Sequence, residues 1–156
     1  MKASSKSGWN NDRIHRIILD MTTGYSGKPL VKKLGYKDGM RVWFDSMPDS
    51  VRAEIAEAGL TLSEELVPTS GVQAAHLFVT DKIALGEKLE ALRKVLDPAG
   101  FIWVSWPKKA AKVPTDITED TIRAIILPNS DLVDVKVCAV DAIWSGLKLM
   151  IRKDRR

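Results

Sequence analysis

A tryptophan, a proline and two lysines, Trp106-Pro107-Lys108-Lys109, close the apolar run that begins at Phe101. Ammonium groups at the end of a buried strand can hold a phosphate or carboxylate, and parallel α/β sheets keep their ligand crevices at that end. Lys112 follows closely, and Thr115 and Thr118 precede a helix predicted over about 117–127, adding hydroxyls and helix N-terminal amides to such an anion site. Asp116, Glu119 and Asp120 fall at the same place. They suit a helix N-terminus and repel an anion, so solvated lysines beside a capped helix are the competing reading. Trp106 and Trp144 lie at predicted strand ends, where an indole can stack on a ring or pack over the sheet. Asp141 and Ser145 flank Trp144 and either face the crevice or shape a hairpin.

Other reactive groups have structural contexts. His76 sits inside an apolar run with no second ligand at a fixed spacing, which predicts a hydrogen-bonded core imidazole. Cys138 is the single cysteine, so an internal disulfide and a cysteine zinc cluster are excluded, and its apolar neighbours predict a small core residue. No paired carboxylates, P-loop, serine nucleophile elbow or metal-ligand cluster is present.

These residues need a scaffold, and periodicity supplies it. Asp12 caps a predicted helix bearing Ile14, Ile17, Ile18 and Met21, and "TTGYSG" breaks it. "KPLVKKLG" is a short helix between Pro29 and Gly35, and "MRVWF" is the first strong strand. Ser46 and Asp49 have capping-box spacing for a helix carrying Val51, Ile55 and Ala58, stopped by Gly59. "LTLSEEL" alternates as a weaker strand, whereas "AHLFVT" is a continuous apolar run, the mark of a strand buried on both faces. Leu85, Leu89, Leu92 and Leu96 then form a leucine stripe, and "DPAG" turns the chain into "FIWVSW". Ile122, Ile125 and Ile126 line the next helix, and "LVDVKVCAVD" and "GLKLMIR" follow as two strands. Trp43 and Trp103, inside strands, are predicted core. Strands alternating with helices, closed by an antiparallel pair, predict a doubly wound, mostly parallel α/β sheet.

The 156 residues fit one domain, expected over 25–156 after an extension over 1–24. No apolar run approaches a membrane span and the N-terminus has no apolar signal region, so a cytoplasmic location is expected. The net charge of +4 divides unevenly: residues 1–40 carry +5, 41–147 carry −5 and 148–156 carry +4. An acidic middle argues against a broad phosphate-tracking face, so nucleic acid is not the expected partner.

The order of parts resembles the class I methyltransferase fold, of Rossmann type. "LVKKLGYKDGMRVWF" is similar to its opening helix, turn and strand, "LEALRKVLDPAGFIWVSW" to its helix, Pro-Gly turn and strand, and "LVDVKVCAVDAIWSGLKLMIRK" to its closing hairpin. More narrowly, "GYSGKPLVKKLG", "WPKKA" with "TDITED", and "DVKVCAVDAIWSGLK" resemble a bacterial family of small proteins known as a domain of unknown function. Its members commonly begin near the position of Met21, which makes residues 1–20 an extension. The methyltransferase resemblance implies a Gly-rich loop after the first strand, where backbone meets cofactor. The cofactor-loop position here is Asp45, Ser46, Met47 and Pro48, with Ser50 close behind and no glycine, and Pro48 has no amide hydrogen. Glu64 or Glu65, about twenty residues on, suits a ribose-binding carboxylate or an ordinary solvated strand end. The expectation is a domain with no cofactor, S-adenosylmethionine being disfavoured, that binds an anionic small molecule without catalysis through Trp106, Lys108, Lys109, Thr115, Asp116, Trp144 and Ser145. A divergent S-adenosylmethionine-dependent methyltransferase and a protein-interaction module are the alternatives.

Overall fold

Each apolar run becomes a strand of one sheet, and each amphipathic run a helix laid against it. The computed structural model describes residues 28–156. The expected helix with Ile14, Ile17, Ile18 and Met21, the break after it and the expected domain boundary lie outside the described residues. The elements are α1 (Leu30–Leu34), β1 (Arg41–Asp45), α2 (Asp49–Glu57), β2 (Ser63–Glu64), β3 (Val72–Phe78), α3 (Lys82–Val95), β4 (Leu96–Pro107), α4 (Glu119–Ile126), β5 (Leu132–Ala139) and β6 (Trp144–Ile151), with 3-10 turns at Lys109–Ala111 and Lys153–Arg155.

The six strands run in the order β2-β1-β3-β4-β6-β5. β1 pairs parallel with both β2 and β3, and β3 parallel with β4. β6 runs antiparallel to β4 and to β5. This is the expected mixed, doubly wound α/β architecture. On one face Leu85, Leu89 and Leu92 of α3 and Ile122 and Ile126 of α4 cover Leu77, Ile102, Val104 and Leu147. On the other, Leu30 and Leu34 of α1 and Val51 and Ile55 of α2 cover Phe44, Phe78, Phe101 and Trp103. Each such buried side chain contributes about 1.5–3 kcal/mol relative to exposure. Trp103, fully buried, also donates its indole N–H to the Leu34 carbonyl at 2.8 Å and so pins α1 to the sheet.

Three local expectations change. The "LTLSEEL" strand shrinks to Ser63–Glu64, and Leu66 just beyond is 96% exposed. β5 is an edge strand with an exposed centre, so Cys138 is only partly buried rather than a core residue. The "DPAG" turn bulges out of β4: Val72 pairs with Leu96 and Ala74 with Phe101. Gly100 makes this bulge possible, because a Cβ there would stand 2.7 Å from the Gln73 carbonyl oxygen. No described helix is long and apolar enough to cross a membrane.

Candidate functional site at the strand-end crevice

The topology itself locates the site. From β1 the chain crosses through α2 to β2 on one side, then returns to β3 on the other, so the winding reverses between β1 and β3. In open α/β sheets the crevice outside the carboxyl ends of the strands, at such a reversal, is where ligands bind. Asp45 ends β1 at that point, and Phe78 ends β3 beside it.

The turn leaving β1 replaces a glycine loop without glycine. Ser46 adopts φ 58, the left-handed conformation, directly after Asp45. Serine carries a cost of about 1–2 kcal/mol there, small enough for the surrounding fold to impose. Met47 turns inward and is buried, which anchors the turn. Pro48 is the N-cap of α2 and provides no side-chain cap, so the first-turn amides at Asp49 and Ser50 keep none. The expected Ser46–Asp49 capping box does not form; Ser46 Oγ instead donates to Asp45 Oδ1 at 3.4 Å.

Carboxylates and cations alternate along this half. Lys88 of α3 donates to Asp45 Oδ2. Arg52 of α2 clamps Glu64 with two bonds, 2.9 and 2.7 Å. Glu65 is tied instead to the start of β1: Thr69 Oγ1 donates to it at 3.0 Å and Arg41, the first residue of β1, at 3.2 Å, and these two bonds hold the Glu65 carboxyl below its usual range. Each clamped oxygen keeps a second lone pair, so Asp45 and Glu64 can still accept from hydroxyl or ammonium groups.

The other half is basic and aromatic. Lys108 donates its backbone N–H to the Ile143 carbonyl at 2.7 Å, so it sits beside the β5–β6 hairpin. Lys33 of α1 donates from Nζ to the Ala139 carbonyl at 2.7 Å. Burial, followed by the nearby Lys108 and Lys136, pulls the Lys33 pKa down, against the pull of Cys138 and Glu54. Trp144 is half-buried and packs edge-on against Phe78, ring centroids 5.1 Å apart. Ser145, its neighbour, pairs with Trp106 and is half-buried.

The other predicted residues lie in the core, in a turn, at a helix start or in the hairpin. Trp106 is buried in the core against α3 and α4. Lys109 begins a 3-10 turn, and Lys112 ends it with φ 55. Thr115 Oγ1 donates to the Thr80 carbonyl at 2.8 Å, and Asp116 Oδ1 accepts the Lys82 amide at 2.8 Å. Thr118 caps α4 by accepting the Thr121 amide at 3.1 Å. Asp141 Oδ1 accepts the Ile143 and Trp144 amides, each at 2.8 Å, which settles it as a hairpin residue. Cys138 lies near Lys33 and Lys136, and burial raises its thiol pKa.

Beneath the crevice floor lies a buried polar chain. Tyr36 OH meets His76 Nδ1 at 2.7 Å, and His76 Nε2 meets Ser105 Oγ at 2.7 Å. Burial alone lowers the His76 pKa to about 3, so the ring is neutral, as expected for a structural imidazole. It stacks on Phe78 at 4.3 Å. Sequence reasoning missed Tyr36, Lys88, Arg52 and Lys33. Ser105 had one legible signal, a hydroxyl inside an apolar strand. A groove of about 810 Å³ lies at the opposite end of the sheet between α3 and α4, where Arg93 clamps Asp131 at 2.6 and 2.8 Å. It holds no part of the topological site. Among the described residues no group of acidic, histidine and cysteine side chains is placed to hold a metal ion.

No protein-family model matches the chain, and no curated protein matches it. The narrower resemblance to a bacterial family therefore rests on the quoted stretches alone. Solved structures do match. A SAM-dependent methyltransferase from Aquifex aeolicus is 16% identical with a TM-score of 0.54, over 94% of this chain and 100% of that one. Magnesium protoporphyrin IX methyltransferase from Synechocystis PCC 6803, with bound SAM, is 9% identical with a TM-score of 0.48, over 98% and 87%. LepI in complex with SAM is 13% identical with a TM-score of 0.49, and the match spans 83% of this chain and 41% of LepI. The expectation of a domain without cofactor, with S-adenosylmethionine disfavoured, is corrected by the Aquifex aeolicus structure, a SAM-dependent methyltransferase whose fold this chain shares. One part of the physical premise fails as well, since Ser46 takes the positive φ for which a glycine was expected. The chain has the methyltransferase-like Rossmann fold.

Proposed function

We propose that this protein is a divergent S-adenosylmethionine-binding methyltransferase whose site is the crevice outside β1, β2 and β3. The carrying observation is the left-handed turn at Ser46, set between Asp45 and the uncapped start of α2 at the reversal of the winding. The donor set fits the group. Asp45 and Glu64, on neighbouring strand ends, can accept from its hydroxyl and ammonium groups, and the α2 amides can meet its carboxylate. Bound there, S-adenosylmethionine supplies an electrophilic methyl group on a sulfonium. The chain's own contribution is to orient it. Lys88 and Arg52 hold the two carboxylates in place, and the buried face of Met47 and Phe78 excludes water from the floor.

Calorimetry with S-adenosylmethionine and S-adenosylhomocysteine tests this. Binding in the micromolar range, weakened at least about tenfold by Asp45→Asn, is expected. No heat from either compound at about 1 mM overturns the reading.

A further inference from the structure

The buried polar chain is joined to the crevice wall by a run of stacked rings. Tyr36 lies between Phe44 and Phe101, ring centroids 5.5 and 6.2 Å away, and its hydroxyl holds His76 Nδ1. Ser105 holds Nε2 from β4, where it pairs with Phe78 across the strands. The Phe78 ring lies on the imidazole with centroids 4.3 Å and planes 22° apart. It then meets the Trp144 indole nearly at a right angle, at 5.1 Å and 82°. Tyr36, His76, Ser105 and Phe78 are buried, whereas Trp144 is only half-buried and forms the wall. Asp141 fixes the Trp144 backbone through its amide, but that bond does not set the side-chain torsions.

The last torsions of phenylalanine and histidine are broad, so neither ring has a plane of its own. The imidazole acquires one, because turning it would leave two buried nitrogens and their two hydroxyl partners unpaired. Stacking passes that plane to Phe78, and the edge-to-face contact passes it to the indole. Apolar residues of the same shape would fill this space about as stably, so what a fully paired polar chain adds is orientation.

We propose that His76 is a positioning residue of the crevice: its imidazole, clamped at both nitrogens, sets the ring of Phe78 and through it the indole of Trp144. The inference deepens the function proposed above and rests on that reading for what the wall is for. Methyl transfer needs the acceptor held in line with the sulfonium, and Phe78 ends β3 beside Asp45, so a fixed wall stands next to the donor's place.

Fluorine NMR of protein labelled with 5-fluorotryptophan tests the clamp. The chain has five tryptophans. Trp144→Phe assigns the wall, and Trp43→Phe assigns a control on the opposite face of the sheet. Tyr36→Phe and Ser105→Ala each remove one bond of the clamp without adding volume. Each should shift the Trp144 line or broaden it at least about twofold through motion in the μs–ms range, and leave the Trp43 line unchanged. Tyr36→Phe combined with His76→Leu and Ser105→Ala leaves no polar group of the chain unpaired, so it keeps the fold and should move the Trp144 line most. A histidine that served stability alone would lower the melting temperature in the single variants and leave the Trp144 line where it was. An unchanged Trp144 line in all three variants, or an equal change at Trp43, overturns the proposal. Calorimetry with S-adenosylmethionine separates the two readings. Heat from wild type with an unmoved Trp144 line removes the clamp alone, and a Trp144 line that answers to the clamp in a protein giving no heat supports the clamp and removes the methyl donor.

Discussion

The crevice has an acidic half and a basic half, and they handle charge differently. At the ends of β1 and β2, Asp45 and Glu64 are each held by a cation from a helix, namely Lys88 and Arg52. Along β5 and β6, Lys136 and Lys148 face one another, and among the described residues neither is in an ion pair. Charge in the first half ties helices to strands, so it serves the fold as well as any ligand. In the second half two like charges stand together, and Lys148 Nζ rests 4.4 Å over the Phe101 ring. Changing Asp45 should therefore alter stability and binding together, and changing the exposed Lys136 should leave stability nearly unchanged.

The largest effect is expected from acid, acting between the halves on β3. His76 is neutral and buried with a pKa of about 3, whereas in the unfolded chain it titrates near its ordinary 6.5. The unfolded state therefore gains a proton first as pH falls, and stability present above about 6.5 drains away by about 1.4 kcal/mol per pH unit down to about 3. Urea unfolding at pH 7 and pH 4 should differ by about 3 kcal/mol in wild type, and by much less in His76→Gln, which cannot take the proton. An equal loss in the variant would move the acid sensitivity to the paired carboxylates of the acidic half.

Asp45→Ala comes next. It strips Lys88 of its partner in a half-exposed pair, so a loss of about 1 kcal/mol, or roughly 2–5 °C in melting temperature, is expected with weaker S-adenosylmethionine binding. If Lys136→Gln lowered the melting temperature as much, the contrast between the halves would collapse; it should shift stability by less than about 0.5 kcal/mol. The finest distinction lies at Ser46. Replacement by glycine relieves the left-handed strain but loosens the unfolded chain, leaving a net gain of about 0.5 kcal/mol or less, while valine should cost more than about 1 kcal/mol. Thermal melts of the two variants read the difference directly.

Much of the scaffold was legible because it is local. The leucine stripe of α3, the continuous apolar run of β3 and the Pro29 and Gly35 boundaries of α1 each lie within a few residues and obey simple periods. The site was less legible because its pairs are distant. Asp45 and Lys88 are 43 residues apart and Lys33 reaches Ala139 across 106, and no spacing rule links them. The charge tally along the chain likewise kept Gly35 and Lys148 apart, whereas the fold sets a Cβ at Gly35 3.7 Å from Lys148 Nζ. Ser46 eluded sequence reasoning for another reason: backbone strain imposed by tertiary packing leaves no mark in residue type.

The chain of Tyr36, His76 and Ser105 has a consequence that follows from counting hydrogens. Two hydroxyls and one neutral imidazole carry three hydrogens between them, yet the chain has only two links to fill, each 2.7 Å long. One hydrogen is always left over. When the ring holds its proton on Nε2 the surplus sits on Ser105, towards the crevice; when it holds it on Nδ1 the surplus sits on Tyr36, towards α1. Exchanging the tautomers reverses the polarity of the whole file without moving a heavy atom, so an imidazole sealed from solvent still records, in the position of one proton, which end of the chain has found an acceptor.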